Sequence, residues 1–450
     1  MTIPFFYAHR PLPLLSAAEI SKRERYSEQP VLVHGREMDV SVFSILLHSL
    51  ALIAQRYELF RRFVHSKLDT AKNGAKKNAK LHTPDSTSPL PPSSPSSYRL
   101  IFAGSAREVE EVEALTKEIT ESFSKSLFTE TVLLMLQQYN FMEEHHIMQS
   151  LRRAVKMNHT TPDSKTSTIV DNVFFVLQEC MRRALSSGNM NVVCAIANII
   201  KDTLSDDFKK YLVDELQENA SQEEDEDEGD EGRGKGLMVV LNNMEVSGQY
   251  IVKLRQVIEE EVKNVFQDRS LDTIRDVISD LNNTAKSFEE LLRLHLEQLS
   301  STVEPSVRPV MQVFATVSYD LSEEQFAERG AEDTFIPLFL ERFSTMLRPF
   351  EKYLTTTNFE HLLHFLMVGL VKKLEANALK KKYSHLGGMQ FDKDLRAIIS
   401  YFSARTPRPV RVEFARLLQV CCEIFSRRRY VRYSFKHVFL PRLDLNATRT

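Results

Sequence analysis

The chain has 450 residues, 42% hydrophobic and 26% charged, enough to bury a sizeable core and cover it with polar faces, which excludes a wholly disordered polymer. Net charge is -3 and the run EEDEDEGDE (223–231) alone carries eight acids; the even charge elsewhere argues against a nucleic-acid-binding chain, which would concentrate Lys and Arg on one face with aromatics interleaved. The four cysteines, Cys180, Cys194, Cys421 and Cys422, form no CxxC pair, which argues against a zinc or redox motif and fits a reducing cytosolic setting.

Residues 1–37 have several prolines and little periodicity, and read as an irregular segment. Asp39 is placed as the N-cap of a helical segment over 38–80, with Phe43, Leu46, Leu47, Leu50, Ile53, Tyr57, Phe60 and Val64 on one side. Its apolar start, VSVFSILLHSLALIA (40–54), falls short of the roughly 20 residues that span a bilayer. A Pro/Ser-rich linker follows over 81–105, opening LHTPDSTSPLPPSSPSSY, too polar to offset the entropy of ordering it.

The middle bundle, 106–220, opens on Val112, Leu115, Ile119 and Phe123 and includes a helix pair, 167–185 and 190–204, about a turn at Ser186, Ser187 and Gly188. Residues 221–236 read as an acidic, disordered loop. A further bundle spans 237–350. Val246, Tyr250, Leu254, Val257, Ile258 and Val265 form one of its stripes, and Leu271, Ile274, Ile278, Leu281, Ala285, Phe288, Leu292 and Leu299 the other.

In the C-terminal bundle, 351–450, Phe359, Leu362, Leu363, Leu366, Leu370, Leu374 and Ala378 precede three lysines and the pair Gly387–Gly388. The glycines are expected to close that helix in a left-handed conformation, with Asp392 capping the next one through Leu395, Ile398, Ile399 and Phe402. With no two-residue alternation anywhere, the fold expected is all-α, an elongated stack of antiparallel helical bundles.

Motifs for chemistry are broken. GDEGRGKG (229–236) aligns Gly229, Gly234 and Lys235 with a phosphate-binding loop, but Gly236 stands where Ser or Thr should hold magnesium and the preceding acids repel phosphate. In EEHH (143–146), His145 and His146 are consecutive and diverge around a helix, so the motif reads as a solvated face. No catalytic residue, cofactor or metal is expected. The stretch SRRRYVRYSFKH (426–437), with Arg427, Arg428 and Arg429, reads either as a polar helix end or as contact with anionic lipid, each charge then contributing about 1 kcal/mol. The second option would make the chain a peripheral membrane-surface adaptor.

Three stretches carry a resemblance: VDNVFFVLQECMRRALSSGNMNVVCAIAN (170–198), LMVVLNNMEVSGQYIVKLRQVIEEE (237–261) and LGGMQFDKDLRAIISYF with VRVEFARLLQV (386–420). Together they resemble the family of conserved oligomeric Golgi complex subunit 4 from about residue 40 onward. The resemblance implies a non-catalytic subunit of a vesicle-tethering complex supporting retrograde transport within the Golgi. It also implies sibling subunits, SNAREs and Sec1-type regulators as partners, and a peripheral place on the cytosolic face of the Golgi membrane. Asp392, Lys393, Asp394, Leu395 and Arg396 match the family's C-terminal motif, and Arg396 is expected to pair with a carboxylate. Asp392, Asp394, Arg396, Arg427, Arg428 and Arg429 are thus the interaction or structural candidates. By the resemblance the chain is expected to correspond to the back half of the family's length, with the family's N-terminal coiled coil expected to fall outside it. After Ile424 it departs from the family pattern before VFLPRLDL, which resembles the final segment.

Overall fold

The computed structural model describes residues 31–33, 36–38, 40–81, 96–161, 164–222, 234–266, 271–331 and 335–426. In chain order it holds β1 (Val31–Val33), β2 (Arg36–Met38), α1 (Val40–Leu81), α2 (Ser96–Ser124), α3 (Leu127–Lys156), α4 (Ile169–Ser186) and α5 (Met190–Asp202). Then come α6 (Lys209–Gln222), α7 (Lys235–Phe266), α8 (Leu271–Val303), α9 (Arg308–Thr316) and α10 (Glu323–Ala331). The last four are α11 (Phe335–Tyr353), α12 (Thr356–Ala378), α13 (His385–Ser403) and α14 (Ala415–Ser426).

The fold is all-α. Among the described residues its strands make a small antiparallel hairpin, Val31 opposite Met38 and Val33 opposite Arg36. That hairpin stands at the end of the stretch expected to be irregular, whose residues 1–30 lie outside the described residues; strands this short leave no alternation to detect. α2 begins at Ser96, inside the segment expected to be linker, directly after the last proline of the run. Asp39 and the acidic run 223–231 lie outside the described residues.

Two compact units are built from interleaved stretches. One takes in Met1–Asn158, Thr168–Lys210 and Gln249–Ala285; the other takes in His159–Ser167, Tyr211–Gly248 and Lys286–Thr450. The expected bundles followed one another along the chain, and these units do not.

In the first unit, Phe43, Leu47, Ala51, Ala54 and Tyr57 turn one face of α1 into a core shared with Val132, Leu136 and Ile147 of α3 and Val173, Phe174 and Leu177 of α4. Burying a side chain of the Val, Leu or Phe kind contributes roughly 1.5–3 kcal/mol. The stripe expected on α1 mixes two faces, because Leu46, Ile53 and Phe60 are exposed. A helix apolar on both sides gives a periodicity that cannot say which side faces inward. α4 and α5 form the expected pair, turned by Gly188 at φ +66°. Asn189 caps α5 by accepting from the Val192 amide at 3.2 Å. A π-helical turn, Thr203–Phe208, follows α5 and keeps Leu204 and Phe208 in the core.

In the second unit every residue of the predicted α12 stripe is buried, from Phe359 to Ala378, as are Leu395, Ile398, Ile399 and Phe402 of α13. The glycine pair is placed differently from expectation. Gly387 and Gly388 sit in the first turn of α13, whose N-cap is Ser384, accepting from the Gly387 amide at 3.0 Å. Asp392 is therefore inside the helix rather than at its cap. Gly188 and Gly234 are the left-handed glycines among the described residues. A serine two positions after the last lysine outcompetes a downstream aspartate as cap because its hydroxyl also joins a second segment, at Leu321.

Candidate functional site

The motif LNNMEV lies in α7, where Asn242 and Asn243 are fully buried in an otherwise apolar run. A buried amide must find partners or cost stability, and Asn242 finds four in the second unit. Its Nδ2 donates to the carbonyls of Lys165 (2.7 Å) and Tyr353 (2.8 Å), and its Oδ1 accepts from the Thr355 amide (2.9 Å) and Asn358 Nδ2 (3.0 Å). Asn243 accepts from the Ser167 amide at 3.0 Å and donates to its hydroxyl at 2.9 Å. Thr355, the N-cap of α12, also donates to Glu245. Lys165 completes the joint by donating to Leu354 O at 2.5 Å, beyond the C-terminal end of α11. The motif pins one helix to the corner between two others.

The second joint centres on Tyr319 and Asp394. Asp394 is almost wholly buried on α13 and accepts from Tyr319 Oη at 2.8 Å and from Gln390 Nε2 at 2.7 Å, with Arg329 Nη2 of α10 at 3.5 Å. Burial, reinforced by the Asp394 charge and its hydrogen bond, raises the Tyr319 phenol well above its ordinary range, so it stays a donor. The Arg329 guanidinium lies 5.2 Å over the Tyr319 ring. On the backbone side, Tyr319 O accepts from the Ser384 amide at 3.0 Å. Ser384 Oγ donates to Leu321 O at 2.9 Å and accepts from the Leu321 amide at 3.0 Å. Lys381 donates to Ala315 O (3.0 Å) and Val317 O (2.6 Å) at the end of α9, and burial, helped by Arg329, lowers its pKa to about 8. A single tyrosine thus gathers α9, α10 and α13.

The first unit has a buried ion pair. Arg183 of α4 reaches Glu143 of α3 through two bonds of 2.7 Å, and Tyr139 Oη donates to Glu143 at 2.7 Å. Burial pushes the Glu143 pKa up, yet the hydrogen bonds and charge of Arg183 outweigh it and hold the carboxyl below its usual range. The reading of EEHH as a solvated face is therefore corrected. Glu143 is wholly buried, and His145 and His146 pack edge-on to Phe43 at 6.5 and 5.9 Å between ring centroids. Consecutive residues on a helix point about 100° apart, so a four-residue polar motif reaches both the core and its margin.

The structure separates the candidates named from sequence. Asp394 belongs to the Tyr319 joint. Asp392 and Arg396 pair with each other at 2.6 Å one turn apart, with the arginine on the surface. Arg427, Arg428 and Arg429 lie outside the described residues. Lys235 of the broken phosphate loop starts α7 and rests 5.8 Å over the Tyr353 ring. Tyr319, Arg329, Gln390, Asn242, Lys165 and the Glu143–Arg183 pair were not singled out. The one sequence signal for them was a polar residue inside an apolar run, as in VVLNNMEV. Among the described residues no group of three or more His, Cys, Asp or Glu is placed to hold a metal ion, and no helix is long and apolar enough to cross a membrane.

These features define a helical-bundle protein whose buried polar side chains fasten helix ends together. Two family models match: "COG4 transport protein, middle alpha-helical bundle" over residues 12–216, and "Conserved oligomeric Golgi complex subunit 4, C-terminal" over 237–423. Conserved oligomeric Golgi complex subunit 4 of Arabidopsis thaliana is 35% identical over 306 residues, covering 67% of this chain and 41% of the relative. The Mus musculus and Homo sapiens proteins of the same name are each 28% identical over 314 residues, covering 63% of this chain and 40% of the relative. The chain belongs to the conserved oligomeric Golgi complex subunit 4 family. The match spans about two-fifths of the length of these relatives.

Proposed function

We propose that the chain acts as a non-catalytic part of a Golgi vesicle-tethering complex, supporting retrograde transport within the Golgi through contacts with sibling subunits, SNAREs and Sec1-type regulators. On this reading it works as a peripheral protein at the cytosolic face of the Golgi membrane. The observation that carries the reading is the pair of family matches, middle bundle then C-terminal part, in order along one chain. The polar joints at Asn242 and Tyr319 support it physically: they invest buried polar groups in fixing helix geometry, as a presenting scaffold requires. Arg396 and Asp392 are proposed as the surface through which α13 meets a partner, since their mutual pair is exposed and contributes little to folding.

Affinity purification of the tagged full chain from cells, with imaging of the same protein, tests the proposal. Co-purifying sibling subunits and a peripheral juxtanuclear signal are expected. A uniformly diffuse signal with no sibling recovered would overturn it.

A further inference from the structure

The outer face of α1 is apolar and exposed. Ile45, Leu52 and Leu59 are 64%, 52% and 50% exposed and recur at seven-residue steps. Leu46, Ile53 and Phe60 form a second row at the same step, all exposed, and Ser49, Arg56 and Phe63 form a third. The opposite face of α1 is already packed in the core of the unit. A helix apolar on both faces normally lies between two layers, and seven-residue rows are what a companion helix reads. Phe60, at the end of its row, meets Phe123 of α2 at 5.9 Å between ring centroids; beyond it Leu115 and Ile119 share their face with the exposed Glu111 and Glu118, so the apolar rows belong to α1. Linked apolar exposure on this scale marks an interaction site.

Charge identifies the occupant. Between residues 40 and 68 the one carboxylate is Glu58, buried and bonded to Arg61 at 2.9 Å and Asn189 at 2.6 Å. The exposed charges on this stretch are cationic: Arg56 within the rows, then Arg62 and Lys67. Arg61 and Arg62 also line a cleft of about 600 Å³ with Leu133 and Asn189, beside the end of the stripe. A second copy of α1 would set like charges against each other. A bilayer would have to take Arg56 and Ser49 into its apolar layer, whereas faces that insert keep their charges at the rim.

We infer that α1 forms a docking surface for an amphipathic helix of another protein, one with apolar residues at heptad spacing and acidic side chains flanking them. A carboxylate of that helix pairs with Arg56 and fixes its register, and further acids lie along Arg62 and Lys67. This inference stands apart from the tethering proposal, since it concerns a surface and a ligand chemistry rather than a cellular role.

The test uses the purified full chain and two labelled synthetic helices with leucine at the heptad core positions, one flanked by glutamate and one by lysine, followed by fluorescence anisotropy. The glutamate helix is expected to bind at least about tenfold more tightly than the lysine helix. Leu52→Glu with Leu59→Glu abolishes that binding, and Arg56→Glu reverses the preference, with circular dichroism and thermal midpoint unchanged because these side chains face outward. Failure of the glutamate helix to bind, or equal binding by wild type and variants, overturns the inference. So does a dimer in sedimentation equilibrium that Leu52→Glu dissolves. Binding to phosphatidylserine-containing vesicles that the same variants abolish, with neither helix bound, overturns it in favour of a membrane surface.

Discussion

Gly387 lies so close to Tyr319 that a Cβ at position 387 would stand 1.6 Å from the Tyr319 carbonyl oxygen. The obstacle is backbone, already tied to Ser384, and cannot swing aside. Gly387→Ala is expected to destabilise the second unit by about 1–3 kcal/mol or more, as overpacking does, seen as a lower thermal midpoint. Gly369, inside α12 with nothing within 4 Å of its own Cβ position, is the control. There alanine is expected to raise stability by up to about 1 kcal/mol, because it restricts the unfolded chain at no steric cost.

Asn242 offers a different kind of break. Asn242→Leu keeps the number and branching of side-chain heavy atoms but leaves the carbonyls of Lys165 and Tyr353 and the amide of Thr355 without this partner. The expected loss is about 3 kcal/mol or more, from several buried groups at roughly 1–3 kcal/mol each. Hydrogen exchange should show faster exchange at the start of α12 in the variant. Unchanged protection there would count against the joint.

The Glu143–Arg183 pair predicts strong coupling. Arg183→Met alone strands a buried carboxylate and is expected to cost about 3–5 kcal/mol. Combining it with Glu143→Leu removes the stranded charge, so the double variant should be more stable than Arg183→Met alone. Urea denaturation followed by circular dichroism completes the cycle; additive losses would show that the two side chains act separately.

His146 makes the first unit sensitive to acid. Burial, with Arg183 next in weight and Glu143 opposing, lowers its pKa from 6.5 to about 4. Between those values the unfolded chain binds a proton that the folded chain does not, so stability falls as pH drops through that window and is independent of this group above it. The loss by pH 4 should reach about 3 kcal/mol at most. His146→Gln should flatten the dependence between pH 6.5 and 4, and an unchanged slope would exclude His146 as its source.

Arg396→Ala separates folding from assembly. Its pair with Asp392 lies on the surface within one helix, so the denaturation midpoint should not move. Recovery of sibling subunits with the tagged chain should fall if α13 meets its partner there. Full recovery would remove Arg396 from the proposed contact.

Where apolar residues recurred on one side only, sequence and structure agree, as in α12 from Phe359 to Ala378. In α1 they recurred on two sides, and the predicted stripe joined buried Phe43 to exposed Phe60. Val246, Tyr250 and Val257 of α7 were likewise assigned to the core but are half-buried, while Met244, Ile251 and Val262 fill it. The polar joints were beyond reach for another reason. Tyr319 and Asp394 are 75 positions apart, and no local pattern announces a bond made only after the chain has doubled back. Gly387 was noticed, but its need arises from the Tyr319 carbonyl rather than from a backbone angle, so the conformational argument put it in the wrong helix.

The interleaving of the two units bears on how the chain is made. A polypeptide leaves the ribosome in order, and the first unit cannot close until Ala285 has emerged, although its opening helices appear hundreds of residues' worth of synthesis before the end. Meanwhile stretches of the second, including Asn242 and Asn243, must wait for Thr355 and its neighbours to be translated. Half-made chains therefore expose unsatisfied amides and oily faces together, and no cut at a single peptide bond would release either unit whole.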